Sequence, residues 1–313
     1  MAMDPGARRV LELLRDFGRP PIEESTPQEA RENMARSRAV FSPTPPEVGE
    51  IRALTAPGPA GEIPLRLYRG REAPGSEAPA LMYFHGGGWV LGDLDSHDAV
   101  CRRLANDAAC VVVSVDYRLA PEHRFPAAVD DCAAATRWVA AQAVALGIDP
   151  SRIAVGGDSA GGNLAAVIAL MARDSIVPAI CFQLLIYPAT DMAGRYPSAE
   201  RTMSGLLLTT PGMRWFIDLY LNRAEEALDW RASPLRASHL SGVAPAIVFT
   251  AYHDPLCDEG EAYAERLERE GVHVNRVRFG DQIHGFLTMG KFIPAALTMQ
   301  DIASAALRQA WGP

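Results

Sequence analysis

The stretch Gly157-Asp158-Ser159-Ala160-Gly161 matches the pattern G-x-S-x-G and lies between two apolar segments. Residues 151–156, before it, form a short and mostly apolar run, as in a buried strand. Residues 163–172, after it, are apolar on nearly every side, as in a helix that packs on a sheet. The stretch therefore predicts a strand, a tight turn with the serine at its apex, and a helix. An ordinary glycine-rich helix cap is the alternative, which these flanking segments disfavour.

A second glycine-rich segment, His85-Gly86-Gly87-Gly88-Trp89, follows a strand-like run at 80–84. Glycines let backbone N–H groups point into a cavity, where they could stabilise a developing oxyanion near Ser159. A phosphate-binding loop is one alternative, but no G-x-G-x-x-G or G-K-[ST] pattern follows. A merely flexible loop is the other. The two segments, in this order, indicate a serine hydrolase that acts on acyl compounds.

A nucleophilic serine needs a general base. Where the serine lies on a tight turn between a strand and a helix, the acid and then the histidine are expected to follow it in the chain. Three of the seven histidines precede the serine, and His239 lies in a connecting stretch. His273 alternates with valines and is expected inside a strand. His284 instead follows a strand-like run at 272–279 and a turn marked by Gly280-Asp281. We therefore predict that His284 is the base, on a loop after the last strand.

The acid has several candidates. Ala246–Tyr252 is the clearest late strand, and Asp254 lies just past its carboxyl end. Functional residues of open α/β sheets gather at the carboxyl ends of strands, so we predict Asp254 as the acid. Asp258, Glu259 and Asp191 are the alternatives. The first two are more simply explained as the opening of a helix, whose positive N-terminal end favours carboxylates.

With three further segments, these motifs resemble the hormone-sensitive-lipase-like group (family IV) of bacterial carboxylesterases in the α/β-hydrolase superfamily. The segments that carry the resemblance lie between residues 80 and 287, and they are His85-Gly86-Gly87-Gly88-Trp89, Asp116-Tyr117-Arg118-Leu119-Ala120-Pro121-Glu122, Gly157-Asp158-Ser159-Ala160-Gly161-Gly162, Asp254-Pro255-Leu256-Cys257-Asp258-Glu259-Gly260 and His284-Gly285-Phe286. This set is far more specific than G-x-S-x-G alone. Cys257 is a departure, since related sequences often carry a basic residue there.

The resemblance implies an α/β-hydrolase fold, with a mostly parallel central sheet flanked by helices and a helical cap over the site. It implies Ser159 as nucleophile, Asp254 as acid and His284 as base. The oxyanion hole that it implies consists of the N–H groups of Gly87, Gly88 and Ala160, with Gly86 as an alternative for one glycine. The expected reaction is hydrolysis of short- to medium-chain acyl esters through an acyl-enzyme, without cofactor or metal.

The same catalytic residues would also serve an amidase, or an acyltransferase that prefers an alcohol to water as acceptor. A ligand receptor that keeps the fold without the chemistry is a further alternative. Receptors that resemble this group lack the base histidine, whereas His284 is present here. An ester hydrolase is therefore the function that the sequence favours.

Composition is ordinary for a globular protein, with 48% hydrophobic and 22% charged residues. A formal net charge of −8 disfavours nucleic acid or an anionic membrane as the main partner. The partner that the motifs and the resemblance imply is a small-molecule ester substrate. The N-terminus is not typical of a secretory signal, and no apolar run approaches the roughly 20 residues of a membrane span. The five cysteines are odd in number and lack metal-ligand spacing, so we expect free thiols in a reducing cytoplasm.

Strand-like and helix-like segments alternate through most of the chain, which is typical of a parallel sheet with helices on both faces. We predict that residues 49–189 and 236–313 form this catalytic core. Residues 1–48 and 190–235 fall outside the alternation and are expected to combine as a helical cap. Ala7–Phe17 and residues 213–221 have helical spacing, and a helix start is predicted at Thr26-Pro27-Gln28-Glu29. A late edge strand could pair two subunits as a homodimer.

Overall fold

An eight-stranded sheet forms the centre of the protein in a computed structural model, which describes residues 2–18 and 20–312. The strands are β1 (Glu50–Gly58), β2 (Gly61–Arg69), β3 (Ala78–Phe84), β4 (Val111–Val115), β5 (Ile148–Asp158), β6 (Phe182–Ile186), β7 (Ala246–His253) and β8 (Val274–Ile283). Their order across the sheet is β1-β2-β4-β3-β5-β6-β7-β8. Strand β2 is antiparallel to both its neighbours, and all other adjacent pairs are parallel. The predicted α/β architecture is confirmed.

Helices cover both faces of this sheet. The α-helices of the described ranges are α1 (Pro5–Asp16), α2 (Pro27–Phe41), α3 (Asp98–Asp107), α4 (Ala127–Ala141), α5 (Ala160–Arg173), α6 (Pro197–Arg201), α7 (Thr210–Tyr220), α8 (Cys257–Arg269) and α9 (Ala295–Trp311). Helices α4, α5 and α8 share one hydrophobic core with one face of the sheet. Helices α3 and α9 share a second core with the other face.

Strand β3 shows why its sequence is apolar without alternation. Ala80, Met82 and Phe84 point into the first core, whereas Leu81 and Tyr83 point into the second. Successive side chains of a strand point to opposite faces, and here helices bury both. The central strands are therefore buried throughout, and the carboxyl ends of β5 and β7 can carry polar residues to one edge of the sheet.

The end of the sheet differs from the sequence prediction. The predicted turn at Gly280-Asp281 is wrong, because β8 continues through both residues to Ile283. His273 is also not inside the strand but directly precedes it. The register between β7 and β8 shifts between Ala251 and His253, and this irregularity lets the pairing resume at Ile283. His284 is consequently the first residue after β8, on the loop that follows the last strand, with no separate turn before it.

The predicted start of α2 is confirmed by a reciprocal cap. The backbone N–H of Glu29 donates to Thr26 Oγ1 over 3.3 Å, and the N–H of Thr26 donates to Glu29 Oε2 over 2.8 Å. Two N–H groups that the helix itself cannot satisfy are thereby paired. Local residue types determine this helix start, so it could be predicted without tertiary information.

Helix α2 is fastened to the core by one guanidinium group. Arg31 donates to the carbonyl oxygens of Val90 and Ala120, both over 2.9 Å. Arg31 also donates to both carboxylate oxygens of Glu122, over 2.8 and 2.7 Å. Within the described ranges, no helix is long and apolar enough to cross a membrane.

Candidate active site

Ser159 lies between the end of β5 and the start of α5, in the backbone conformation φ 56°, ψ −118°. A positive φ is uncommon for a residue with a side chain and is held here by the surrounding structure. The N–H of Ser159 donates to Ile186 O over 2.9 Å. A Cβ on Gly157 or Gly161 would overlap the carbonyl oxygen of Phe84. The glycines are therefore required by close backbone approach, as the sequence predicts.

Three side chains from separate parts of the chain meet at this turn. His284 Nε2 lies 2.9 Å from Ser159 Oγ, and His284 Nδ1 lies 2.7 Å from Asp254 Oδ2. Asp254 is fully buried, and its other oxygen accepts the N–H of Leu256 over 2.8 Å. The serine hydroxyl, the imidazole and the carboxylate thus form one hydrogen-bonded chain, which is the geometry of nucleophile, base and orienting acid.

The alternative acids have other partners. Asp258 pairs with Arg201 at 3.1 Å and is in the first turn of α8, where the sequence analysis expects it. Asp191 accepts from Arg236 over 2.6 Å. Of the four acid candidates, only Asp254 contacts His284 within the described residues.

Glu259 is more than a helix-opening acid. It is buried, lines the cavity described below and accepts the N–H groups of Thr190 and Asp191 over 2.7 and 3.3 Å. Burial raises its pKa to about 8, although these two N–H groups oppose the rise. Its position in the first turn of α8 was predictable, but its burial was not.

The glycine loop presents its amides unequally. The N–H of Gly86 donates to Asp158 Oδ1 over 3.0 Å and is therefore occupied. Gly87 and Gly88 have φ of 128° and 60°, and Gly87 O accepts the N–H groups of Val90 and Leu91 over 3.1 and 2.8 Å. No described protein group accepts a hydrogen bond from the N–H of Gly87 or Gly88. Of the three loop glycines, Gly87 and Gly88 are therefore the two whose N–H groups can bind a ligand.

Asp158 joins the turn at Ser159 to this glycine loop. Besides the N–H of Gly86, its Oδ1 accepts the hydroxyl of Tyr83 over 2.9 Å and lies 3.0 Å from His97 Nε2. Burial opposes ionisation of Asp158, but the facing His97 and the hydrogen bonds from Tyr83 and the N–H of Gly86 outweigh it and lower the pKa of Asp158. The carboxylate of Asp158 thus holds the first glycine of the loop in place. His97 was not predictable from the sequence as part of the site, since no motif surrounds it.

His85 stabilises the glycine loop rather than acting as a base. Its Nδ1 lies 2.9 Å from Gly86 O, and its ring stacks on Tyr117 with 4.3 Å between ring centroids. The hydroxyl of Tyr117 donates to His85 O over 2.6 Å. Burial lowers the pKa of His85 to about 4, so the ring is neutral near pH 7. Its role is therefore to hold the loop that carries the free amides.

The segment that follows β4 is held by ion pairs to two different parts of the chain. Arg118 pairs with Asp131, 13 positions away, over 2.8 Å. Glu122 instead pairs with Arg31 on α2, 91 positions away. Glu122 therefore links the core to the N-terminal helices, a contact that the sequence alone did not indicate.

A cavity of about 290 Å³ opens above Ser159, and its walls are mostly apolar. Side chains from the N-terminal segment, the 190–235 segment and the core line it, among them Met34, Leu208, Met213, Phe216, Ile217 and Met289. Phe216 of α7 contributes to the site as well as to helix packing, because it lines the cavity and a Cβ on Gly88 would overlap its ring.

Helix α7 also covers the glycine loop through an aromatic pair. The rings of Trp89 and Tyr220 stack with centroids 4.5 Å apart and planes 9° apart. Phe216 and Tyr220, one turn apart on α7, thus contact consecutive residues of the loop. Within the described ranges, no group of three His, Cys, Asp or Glu side chains could hold a metal ion. All five cysteines are free thiols.

Comparison with known proteins identifies the family of this chain. A family described as having the alpha/beta hydrolase fold matches residues 81–288. The chain is 43% identical over 295 residues to the carboxylic ester hydrolase LipN of Mycobacterium tuberculosis, covering 92% of this chain and 77% of that protein. It is 41% identical to an ethyl acetate hydrolase of Pseudomonas putida, covering 95% of both chains. A hyperthermophilic esterase of the archaeon Pyrobaculum calidifontis has a similar structure, with a TM-score of 0.93, 40% identity and 99% coverage of both chains.

Proposed function

The chain belongs to the α/β-hydrolase family and is a carboxylic ester hydrolase, and on that premise we propose that Ser159 is its nucleophile, His284 its general base and Asp254 the orienting acid. The observation that carries this assignment is the hydrogen-bonded chain from Ser159 Oγ through both ring nitrogens of His284 to Asp254. The receptor alternative is set aside, because the relatives are enzymes.

In the proposed mechanism, His284 Nε2 takes the proton of Ser159 while Oγ attacks the ester carbonyl carbon. The negative charge that develops on the carbonyl oxygen is stabilised by the N–H groups of Gly87, Gly88 and Ala160. His284 then protonates the leaving alcohol, and water attacks the acyl-enzyme with the same residue as base. Asp254 holds the imidazole in the tautomer that accepts the serine proton.

Replacing Gly88 with alanine is expected to lower kcat about 10²- to 10³-fold, with a smaller change in KM. The added Cβ would overlap Phe216 at a φ of 60°, so the loop must shift and its amides lose their positions. Steady-state hydrolysis of 4-nitrophenyl butyrate measures the effect. Gly205→Ala is the matched control, because Gly205 has φ 76° but nothing within 4 Å of an added Cβ. A Gly88→Ala enzyme within tenfold of wild-type kcat would contradict the proposed oxyanion hole.

We propose short- to medium-chain acyl esters as substrates, supported by a mostly apolar cavity of about 290 Å³. Each methylene added to the acyl chain of a 4-nitrophenyl ester is expected to raise kcat/KM up to about fourfold while it can be buried. Once the cavity is full, longer chains should react more slowly. A series from acetate to palmitate measures this profile, and a rise that continues to palmitate would contradict the proposal.

A serine-directed phosphonate tests the proposed nucleophile, because peptide mapping after labelling identifies the serine that has reacted.

We also propose the division into a core and a cap, because residues 1–48 and 190–235 supply Met34, Met213 and Phe216 to the cavity wall.

A homodimer that pairs through the edge strand β8 is a further proposal, which sedimentation velocity can test. A cytoplasmic location remains a prediction that rests on the cysteines.

A further inference from the structure

A second cavity, of about 730 Å³, adjoins the active-site cavity near the end of α2 and the start of α3. Arg38, Ser42, Ser96 and Thr288 line both cavities. The two spaces therefore meet at these side chains. The first cavity is mostly apolar, whereas the second is lined by many polar and charged groups.

The walls of the second cavity carry more positive than negative charge. Four cations, Arg38, Arg66, Arg102 and Lys291, face two carboxylates, Asp95 and Asp98. Asp98 is 2.7 Å from Arg102 and also accepts the Tyr68 hydroxyl, and Asp95 is 2.8 Å from Arg66. Both carboxylates are therefore engaged by Arg66 and Arg102, which leaves two cations with weaker partners.

Lys291 and Arg38 are these two cations. Lys291 is the only lysine of the chain, is exposed, and forms no ion pair with any residue that the structure describes. Its backbone N–H donates to Phe41 O over 3.3 Å, which holds it beside the end of α2. Arg38 Nη1 lies 3.6 Å from Asp93 and 3.9 Å from Asp95, beyond hydrogen-bond distance. In a chain with a net charge of −8, this local excess of positive charge would attract anions.

We propose that the second cavity binds the carboxylate of esters whose acyl or alcohol arm ends in an acidic group, such as monoesters of dicarboxylic acids. The proposal rests on the proposed function, because the ester group must be at Ser159 while the carboxylate lies near Lys291 and Arg38. Ammonium and guanidinium groups bind carboxylates through charge-assisted hydrogen bonds. Because Lys291 is exposed, the expected preference is about three- to fivefold.

The test compares each anionic ester with a neutral isostere. Monoethyl succinate, adipate and sebacate are paired with the corresponding ethyl ester amides, and acetate esters of ω-hydroxy acids with those of the ω-hydroxy amides. At one chain length or more, kcat/KM should favour the anion about three- to fivefold at low ionic strength. About 1 M NaCl should remove this preference. Equal rates for anion and amide at every chain length, on both arms, would overturn the proposal.

Variants at Lys291 identify the cation. Lys291→Met should raise KM for the preferred anionic ester about three- to fivefold without changing kcat, and should leave the neutral ester unchanged. Lys291→Arg should restore the lower KM. Arg36→Met, on α2 but outside both cavities, is the matched control. Equal effects of Lys291→Met on both esters would overturn the proposal. Failure to hydrolyse any neutral ester would instead overturn the proposed function, and this inference with it.

Discussion

Replacing Ser159 with alanine is expected to lower kcat about 10⁶-fold while the protein stays folded. The change removes the one oxygen that His284 Nε2 contacts at 2.9 Å, and with it the nucleophile and the acyl-enzyme. Alanine adds no atom, so the packing of the turn is retained. Steady-state hydrolysis of 4-nitrophenyl butyrate measures the loss, and thermal unfolding checks the fold.

The control for this prediction is Ser151→Ala. Ser151 is an exposed serine near the other end of β5, and its hydroxyl donates to Asp149. Loss of this hydroxyl should leave kcat unchanged. The phosphonate label should appear on Ser159 in the wild type and in Ser151→Ala, and should be absent from Ser159→Ala. Retained hydrolysis at a tenth of the wild-type rate by Ser159→Ala would remove Ser159 from the role of nucleophile.

Asp254→Asn is expected to lower kcat by about 10⁴-fold with little change in KM. The carboxylate accepts a hydrogen bond from the N–H at His284 Nδ1 over 2.7 Å, which leaves Nε2 free to accept the serine proton. An asparagine amide in that place donates to Nδ1 and moves the proton to Nε2, the wrong tautomer for a base. The asparagine oxygen can still accept the N–H of Leu256, so the turn should keep its shape.

Asp258→Asn is the matched control, four residues along the chain. Asp258 pairs with Arg201 at the start of α8 and does not contact His284, so kcat should fall less than tenfold. Measuring kcat, KM and the unfolding temperature of both variants on the same ester separates catalysis from folding. A larger loss at Asp258 than at Asp254 would assign the orienting role to Asp258.

Local patterns were enough for much of the fold. The strand, turn and helix around Ser159 were predictable because glycine spacing and apolar runs report on adjacent backbone. The cap of α2 at Thr26 was predictable for the same reason. The full length of strand β8 was not predictable, because its pairing with β7 is interrupted after Phe279 and resumes at Ile283. A glycine and an aspartate that usually indicate a turn lie in the strand between these two paired residues.

The active site divides in a similar way. Residue type and chain order favoured Ser159, His284 and Asp254, but they left Asp258, Glu259 and Asp191 open until side-chain contacts were known. The contact of Gly86 with Asp158, 72 positions away, could not be read from three consecutive glycines. It makes the first glycine a structural residue and leaves the amides of the next two unoccupied.

The sequence by itself determined the fold class and the kind of chemistry, because hydrophobic periodicity and glycine placement act over a few neighbouring residues. Only the tertiary structure decided which acid contacts His284, that α7 covers the glycine loop, and that Lys291 lies beside a charged cavity. These features depend on groups tens of residues apart that come within a few ångströms of one another. Such proximity is a property of the packed chain, since no local pattern encodes the distance between two distant side chains.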